Sequence, residues 1–189
     1  MTLSGAMPRP SLDRVALHSR NGHRVLIGSA LVLLIAFLTL TAVLFVWPAT
    51  NAPQRVNAIV VLGGSGDRVA KGVALARAGY APMLLISDHD EAPCPKSEDH
   101  FQVICFNPDP PNTQGEARYL ARVADARHWH RLLVVPSVPQ TTRARIRLKR
   151  CYKGTLLFDP ASPGGIGTWI YSIAYEWGSL LKALVQRGC

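Results

Sequence analysis

Charged residues are scarce in this sequence of 189 residues: they make up 17% of the chain, while apolar residues make up 48%. This composition excludes a disordered protein, and it makes a membrane-spanning segment a natural expectation. The sequence also lacks an internal repeat and a low-complexity tract. Its length suits one domain of ordinary size with an appendage.

Several motifs that would indicate a particular chemistry are also missing. Neither a Cys-x-x-Cys nor a His-x-x-x-His spacing occurs, which argues against a zinc site. A Gly-Lys-Ser/Thr sequence is absent, which excludes a Walker phosphate loop. Ser137 lacks a Gly-x-Ser-x-Gly context, and His89 is the one histidine at a predicted strand end. The sequence therefore shows no ready nucleophile and base for hydrolysis.

One long apolar run is present, from Val25 to Val46, and it holds 22 residues without a charge. As a helix rising about 1.5 Å per residue it would span about 33 Å, enough for a hydrocarbon core of about 30 Å. Trp47 and Pro48 follow it, an interfacial aromatic and a helix stop. We therefore expect a transmembrane helix over residues 25–47. A cleaved signal peptide is the competing interpretation, but the run is too long for one.

Arginines flank this run unevenly, with four before it and one, Arg55, within ten residues after it. The positive-inside rule then predicts a cytoplasmic tail over residues 1–24 and an extracytoplasmic position, outside the cell (plasma) membrane, for residues 48–189. Beyond Trp47 the chain has 17 basic and 11 acidic residues, a net charge of +6. Such a domain is suited to anionic lipid headgroups or phosphorylated wall polymers. The predicted topology argues against nucleic acid as a partner.

The chain has four cysteines, and an extracytoplasmic domain lies in an oxidising compartment where cysteines can pair. Four cysteines allow three complete pairings, and the sequence alone does not choose among them. Cys94 and Cys105 flank a short polar loop, so a local disulfide between them is the simplest expectation.

After a predicted linker over residues 48–56, short apolar runs alternate with helical patterns throughout residues 57–189. Runs of this kind are typical of strands buried on both faces, and the alternation predicts an α/β sandwich with a parallel sheet. The predicted strands are Ala58–Leu62, Met83–Ile86, Gln102–Phe106, Leu132–Val135 and Thr155–Phe158. The predicted helices are Arg68–Ala78, a helix capped by Thr113 that runs to about Ala126, Thr141–Tyr152 and Gly167–Gln186.

Three features of these helices carry further expectations. Thr113 and Glu116 fit the capping-box pattern, with Thr113 as the N-cap. The last helix is too polar at Glu176 and Lys182 to span a membrane, and it either packs on the sheet or lies along the bilayer surface. The basic run from Arg143 to Lys153 is either a solvated face or a contact with headgroups or polymers.

Polar residues gather where the predicted strands lead into helices, which is where parallel α/β sheets bind ligands. Backbone amides, small hydroxyls and arginines at these joints would favour a phosphate or a carboxylate. The alternative is that glycines and caps merely serve the joints of the fold. Asp88 and Glu116 are weak candidates for a catalytic acid or base. The predicted ligand-binding residues are Gly63, Gly64, Ser65, Gly66, Arg68, Thr113, Glu116, Ser137, Gln140 and Arg143.

The glycine turn also has a partial likeness to a dinucleotide fingerprint. Gly64-Ser-Gly66 supplies two of its glycines, but Val69 stands where the third belongs. Asp88 lies about 20 residues further on, near the place of a ribose-binding acid. The match is weak, and the cofactor stays unknown.

Three sequence blocks in this order carry a family resemblance: "IVVLGGSGDRVAKGVALARAGYAPMLLIS", "NTQGEARYLA" and "LLVVPSVPQTTRARIRLKRCY". Over about residues 57–182 the chain resembles the YdcF/SanA/ElyC-like family of bacterial envelope proteins. The resemblance implies a Rossmann-like fold, a single N-terminal anchor, and a link to envelope integrity, peptidoglycan and lipid-carrier metabolism. It implies no settled reaction, although one cytoplasmic-type member is associated with S-adenosylmethionine.

The sequence departs from this family in the loop before Arg143 and Ala144, where many relatives carry a histidine and this chain reads "SVPQTT". The departure removes the natural acid or base and argues against hydrolysis. We therefore expect an anchored protein that binds a phosphate-bearing envelope precursor or an anionic lipid. The alternatives are a hydrolase or transferase acting on such a ligand, and a structural partner of wall-synthesis proteins.

Overall fold

The computed structural model describes residues 12–64, 66–87 and 94–189, and for residues 12–22 it describes the backbone alone. The chain separates into two compact units, one that ends at Leu40 and one that comprises Thr41–Cys189. Most of helix α1 (Leu12–Thr41) belongs to the first unit. The stretch His23–Val46 is long and apolar enough to cross a membrane, with a mean hydropathy of 2.7.

The second unit is built on a five-stranded sheet in which all strands are parallel, in the order β3-β2-β1-β4-β5. Every residue of the two strands β1 and β2 is buried, because helices or loops cover both faces. The predicted α/β sandwich with a parallel sheet is confirmed. The strands are β1 (Ala58–Val61), β2 (Met83–Ser87), β3 (Gln102–Phe106), β4 (Arg131–Val135) and β5 (Thr155–Phe158).

Helices lie on both faces of this sheet and complete a three-layer arrangement. Helix α2 (Arg68–Arg77) packs on one face, where its Leu75 shares a core with Ile59 of β1. Helices α3 (Thr113–Ala126) and α4 (Thr141–Cys151) share the other core with Val60. Successive side chains of a strand point to opposite faces, so Ile59 and Val60 belong to different cores.

The last helix, α5 (Ile166–Val185), packs against α4 through buried side chains that include Leu180 and Ala183. The sequence left two placements open for this helix, packing on the sheet or lying along the bilayer surface. The buried face of α5 packs on the domain, against α4. Within residues 57–189 the predicted bounds hold to within one residue at every strand and helix end, and the predicted helix starts at Arg68 and Thr141 are those observed. Frayed ends explain differences of this size. The predicted transmembrane helix over residues 25–47 differs, because the helix already begins at Leu12 and continues after Thr41 as the π-helical turn Ala42–Val46.

The last turn of the apolar stretch and the segment that follows it are bound to the domain. Residues Ala42–Val46 form one turn of π-helix, and Phe45 is fully buried with its ring edge-on to Trp177, 5.2 Å between centroids. The hydroxyl of Thr142 donates to the Leu44 carbonyl oxygen at 2.6 Å. Further on, Asn51 exchanges two hydrogen bonds with Phe158, so part of the predicted linker runs along edge strand β5.

Two disulfides tie the outer parts of the domain. Cys94 bonds to Cys105, which confirms the predicted local pairing. Cys151 at the end of α4 bonds to Cys189, and this bond fixes the C-terminal end of the chain beside α4.

Candidate functional site

A cleft of about 320 Å³ opens at the carboxyl ends of β1 and β4. These neighbouring strands lead into α2 and α4, which lie on opposite faces of the sheet, so the cleft is at the topological switch point of the fold. The structure brings most of the predicted site residues to this place. Those that line the cleft are Gly63, Gly64, Arg68, Thr113, Glu116, Ser137, Gln140 and Arg143.

The other three predicted site residues fall into two groups. Ser65 and Asp88 lie outside the described residues. Gly66 is described but stands beside the cleft, against the loop that precedes α5.

The glycine turn has a structural reason for its glycines. Gly64 and Gly66 have φ angles of +125° and +94°, which residues with a side chain rarely adopt. A Cβ on Gly66 would lie 2.5 Å from the carbonyl oxygen of Ser162, and one on Gly64 would meet the guanidinium of Arg68. The turn therefore needs glycine for its backbone shape and close packing, whatever it binds.

Arg68 connects this turn to the start of α4. Its side chain is buried, and Nη1 donates to the Gly63 carbonyl oxygen and, at 3.1 Å, to Oε1 of Gln140. Gln140 in turn donates through Nε2 to the Thr113 hydroxyl at 3.4 Å. Arg68 thus holds together the wall of the cleft, and its predicted role as a ligand partner stays a prediction.

The N-terminus of α3 differs from the capping-box prediction. Asn112 is the N-cap, and its Oδ1 accepts from the backbone N–H groups of Gln114 at 2.8 Å and Gly115 at 3.3 Å. The prediction of Thr113 as the N-cap is wrong by one residue. The reason is tertiary: the Thr113 hydroxyl accepts from Arg143 at 2.6 Å, and Glu116 turns towards another loop.

Glu116 is held at the cleft by the glycine turn. Its side chain is 2% exposed, and Oε1 accepts the backbone N–H of Gly63 at 2.6 Å. Oε2 accepts no hydrogen bond from the residues that the structure describes. One carboxylate oxygen is therefore fixed, while the residue itself lines the cleft.

The sequence did not assign Glu176 of α5 to the site, yet it is the main partner of Arg143. Nε and Nη2 of Arg143 donate to the two carboxylate oxygens of Glu176, both at 2.7 Å. Burial opposes the charged form of Arg143, but the hydrogen bonds and charge of Glu176, with smaller contributions from Tyr175 and Glu116, raise the pKa of Arg143. A lone acid among the apolar residues of a predicted helix was the available signal.

Helix α5 supplies one wall of the cleft, which the sequence also did not predict. Tyr171, Ser172 and Tyr175 line it together with Glu176. The guanidinium carbon of Arg143 lies 5.9 Å from the centroid of the Tyr175 ring. Two tyrosines and a buried ion pair therefore belong to the lining that α5 contributes to the cleft.

The formal charges of the cleft side chains balance, because Arg68 and Arg143 face Glu116 and Glu176. Positive potential for a ligand then comes from the N-termini of α2, α3 and α4, which converge on the cleft. Arg143 uses three of its five N–H donors on Glu176 and Thr113, so two have no acceptor within the described part of the chain. These donors can serve a ligand without breaking the ion pair.

The basic run of α4 is engaged mainly inside the domain. Arg147 and Arg150 donate to the Gln186 carbonyl oxygen at 2.8 and 2.9 Å, and Arg150 also donates to that of Ala183 at 2.6 Å. These bonds satisfy carbonyl groups at the C-terminal end of α5. Arg145 packs over the ring of Phe158, and burial lowers its pKa. These three arginines therefore do not form a fully solvated face, and a contact of the basic run with headgroups or polymers stays a prediction.

The chain matches no family model, no curated protein and no solved structure. The resemblance to the envelope family therefore stays a prediction carried by the three sequence blocks.

Within residues 12–64, 66–87 and 94–189, no group of three or more His, Cys, Asp or Glu side chains is placed to hold a metal ion.

Proposed function

We propose that this protein is anchored in the plasma membrane by a single helix and that its extracytoplasmic α/β domain binds a phosphate-bearing or anionic ligand in the cleft. The observation that carries the proposal is the convergence of three helix N-termini on one cleft that also holds two spare N–H donors of Arg143. The positive-inside pattern supports the orientation. The resemblance of the sequence blocks supports a role in envelope or peptidoglycan integrity.

The binding test uses two variants that break the same ion pair but change the net charge of the cleft in opposite directions. Arg143→Gln removes a positive charge and its donors, and we expect affinity for an anion to fall about tenfold or more, since a hydrogen bond to a charged group contributes about 1.5–3 kcal/mol. Glu176→Gln removes the competing negative charge, and we expect affinity to rise. A merely structural effect would move both variants in the same direction.

The measurement is calorimetric titration of the purified chain with undecaprenyl phosphate, wall-precursor nucleotides and S-adenosylmethionine as probes. Arg77→Gln is the matched control, because Arg77 pairs with Glu98 at the far end of α2, away from the cleft. Thermal unfolding of each variant checks the fold. Absence of binding to every probe would reject the proposal and leave the structural-partner interpretation.

An enzyme that acts on the same ligand is the second candidate, because a buried carboxylate lies at the cleft. Glu116 is oriented by the Gly63 N–H and is the group placed to exchange a proton with a bound ligand. Glu116→Gln keeps an acceptor oxygen for Gly63 but cannot act as an acid or base. If the protein is an enzyme, this variant binds the probe and loses turnover; if it is a binding protein, the wild type shows no turnover.

A further inference from the structure

The side of α5 that faces away from α4 is a continuous apolar surface. Its outer face consists of Ile166, Ile170, Ala174, Leu181 and Val185, all of them exposed. Their spacing of about one or two turns places them in one stripe along a helix about 30 Å long. Ile166 and Val185, at the two ends, are each 82% exposed. A stripe of this extent on an otherwise folded domain indicates a contact surface.

The charges of α5 fit a lipid surface. The helix has two charged side chains: Glu176 is buried against Arg143, and Lys182 is exposed. Tyr171 and Tyr175 are exposed beside the outer face. Aromatic residues and a lysine at the edge of an apolar stripe are typical of helices that lie in the membrane interface.

The end of the apolar stretch lies directly against this helix. Phe45 packs edge-on against Trp177 of α5, and the Leu44 carbonyl oxygen accepts from Thr142 of α4. Val43 and Trp47 on either side are 56% and 74% exposed, so the same region presents further apolar surface. If His23–Val46 crosses a membrane, its C-terminal end lies at the interface. Helix α5 then lies beside this end, because Trp177 contacts Phe45.

We propose that the outer face of α5 docks on the lipid bilayer from which the chain emerges. The proposal rests on the membrane anchoring proposed above, but not on ligand binding. The same helix forms a wall of the cleft through Tyr171, Ser172 and Tyr175. Docking therefore keeps the cleft within about one helix diameter, roughly 10 Å, of the bilayer surface. It also fixes how the domain is oriented above the membrane.

The experiment measures the depth of a nitroxide spin label on the full chain in nanodiscs of phosphatidylethanolamine and phosphatidylglycerol. All four native cysteines are in disulfides, so an introduced cysteine is the one free thiol. Ala174→Cys places the label in the middle of the outer face. Ala74→Cys is the matched control, because Ala74 is an exposed alanine in the middle of α2, across the sheet.

Docking predicts that the Ala174→Cys label is several-fold less accessible to a water-soluble relaxation agent, and more accessible to oxygen, than the Ala74→Cys label. A further Ile170→Glu substitution should restore water access to the Ala174→Cys label, whereas it should leave the control label unchanged. Equal water access at the two labels in wild-type background would overturn the proposal.

Two further outcomes would also overturn it. Protection of the Ala174→Cys label that comes with dipolar broadening, and that disappears when labelled chains are diluted with unlabelled ones, would identify a second copy as the occupant. Release of the chain from the lipid during nanodisc assembly would reject the anchoring itself. Ligand titrations of the detergent-solubilised chain separate both outcomes from a failure of the cleft to bind.

Discussion

The ion pair between Arg143 and Glu176 gives the sharpest test of how the cleft wall is held together. The side chains are 11% and 4% exposed, and two hydrogen bonds of 2.7 Å join them. The perturbation is Glu176→Leu, which has an apolar side chain of comparable size and leaves Arg143 with Thr113 as its one hydrogen-bond partner among the described residues. Arg143 then stays charged in a site with little access to water.

The magnitude follows from this burial. Removing one partner of a buried ion pair costs about 3–5 kcal/mol, because the other charge remains uncompensated. A domain of this size loses about 2–4 °C in Tm for each kcal/mol, so the expected decrease is roughly 6–20 °C. The double variant Arg143→Met and Glu176→Leu removes both charges. We expect it to cost only about 1 kcal/mol, mainly for the hydrogen bond that Thr113 loses.

The assay is a double-mutant cycle by thermal and denaturant unfolding of the two single variants, the double variant and the wild type. The coupling energy between the two positions should be several kcal/mol in the stabilising sense. Folding raises the pKa of Arg143, so its charge contributes to the free energy of unfolding in full below the pKa that Arg143 has in the unfolded chain. This contribution is lost only as the pH rises through the higher pKa of Arg143 in the folded chain. Additive single-variant effects, or a double variant as unstable as Glu176→Leu, would refute the reasoning.

Two further predictions concern the backbone and the disulfides. Gly66→Ala should destabilise the domain by at least about 2 kcal/mol, since φ is +94° and the new Cβ meets the Ser162 carbonyl oxygen, whereas Gly178→Ala, exposed within α5, should stabilise it by about 0.5–1 kcal/mol. Equal effects in calorimetry would contradict the turn geometry. Replacing Cys151 and Cys189 by serine should lower the free energy of unfolding by about 4 kcal/mol, and the same change at Cys94 and Cys105 should lower it by about 3 kcal/mol. The first replacement costs more because the loop closed by Cys151 and Cys189 is the longer one. The reverse order in denaturant unfolding would count against the loop-entropy account.

Much of the fold was predictable because the three central strands, β1, β2 and β4, are buried on both faces almost throughout. Such strands have no polar alternation, so the apolar runs around Val60 and Val134 identify them without knowledge of their neighbours. The general position of the cleft was predictable for a related reason. In a parallel sheet the carboxyl ends of all strands lie at one edge, so Gly63 and Ser137 lie at that edge whatever the strand order. They line one cleft because β1 and β4 are neighbours in the sheet, which the tertiary structure decided.

The contacts inside the cleft were not predictable in this way. Glu116 fits a capping box by its spacing, but it bonds to Gly63, which is 53 positions away. The Thr113 hydroxyl was expected to cap its own helix, yet it accepts from Arg143, and Asn112 takes the cap. In each case a local partner and a distant one compete for the same polar group, and only the packed structure brings the distant one within reach.

The sequence by itself determined how strands and helices follow one another along the chain. It also determined the apolar stretch and the edge of the sheet where polar residues gather, because each depends on local pattern alone. The tertiary structure decided which charges are already paired. It placed α5 against α4, where Glu176 takes up Arg143 and the helix leaves an apolar face outside. The physical reason is that a buried charge must find a partner near it in space, and that partner here lies 33 residues away along the chain.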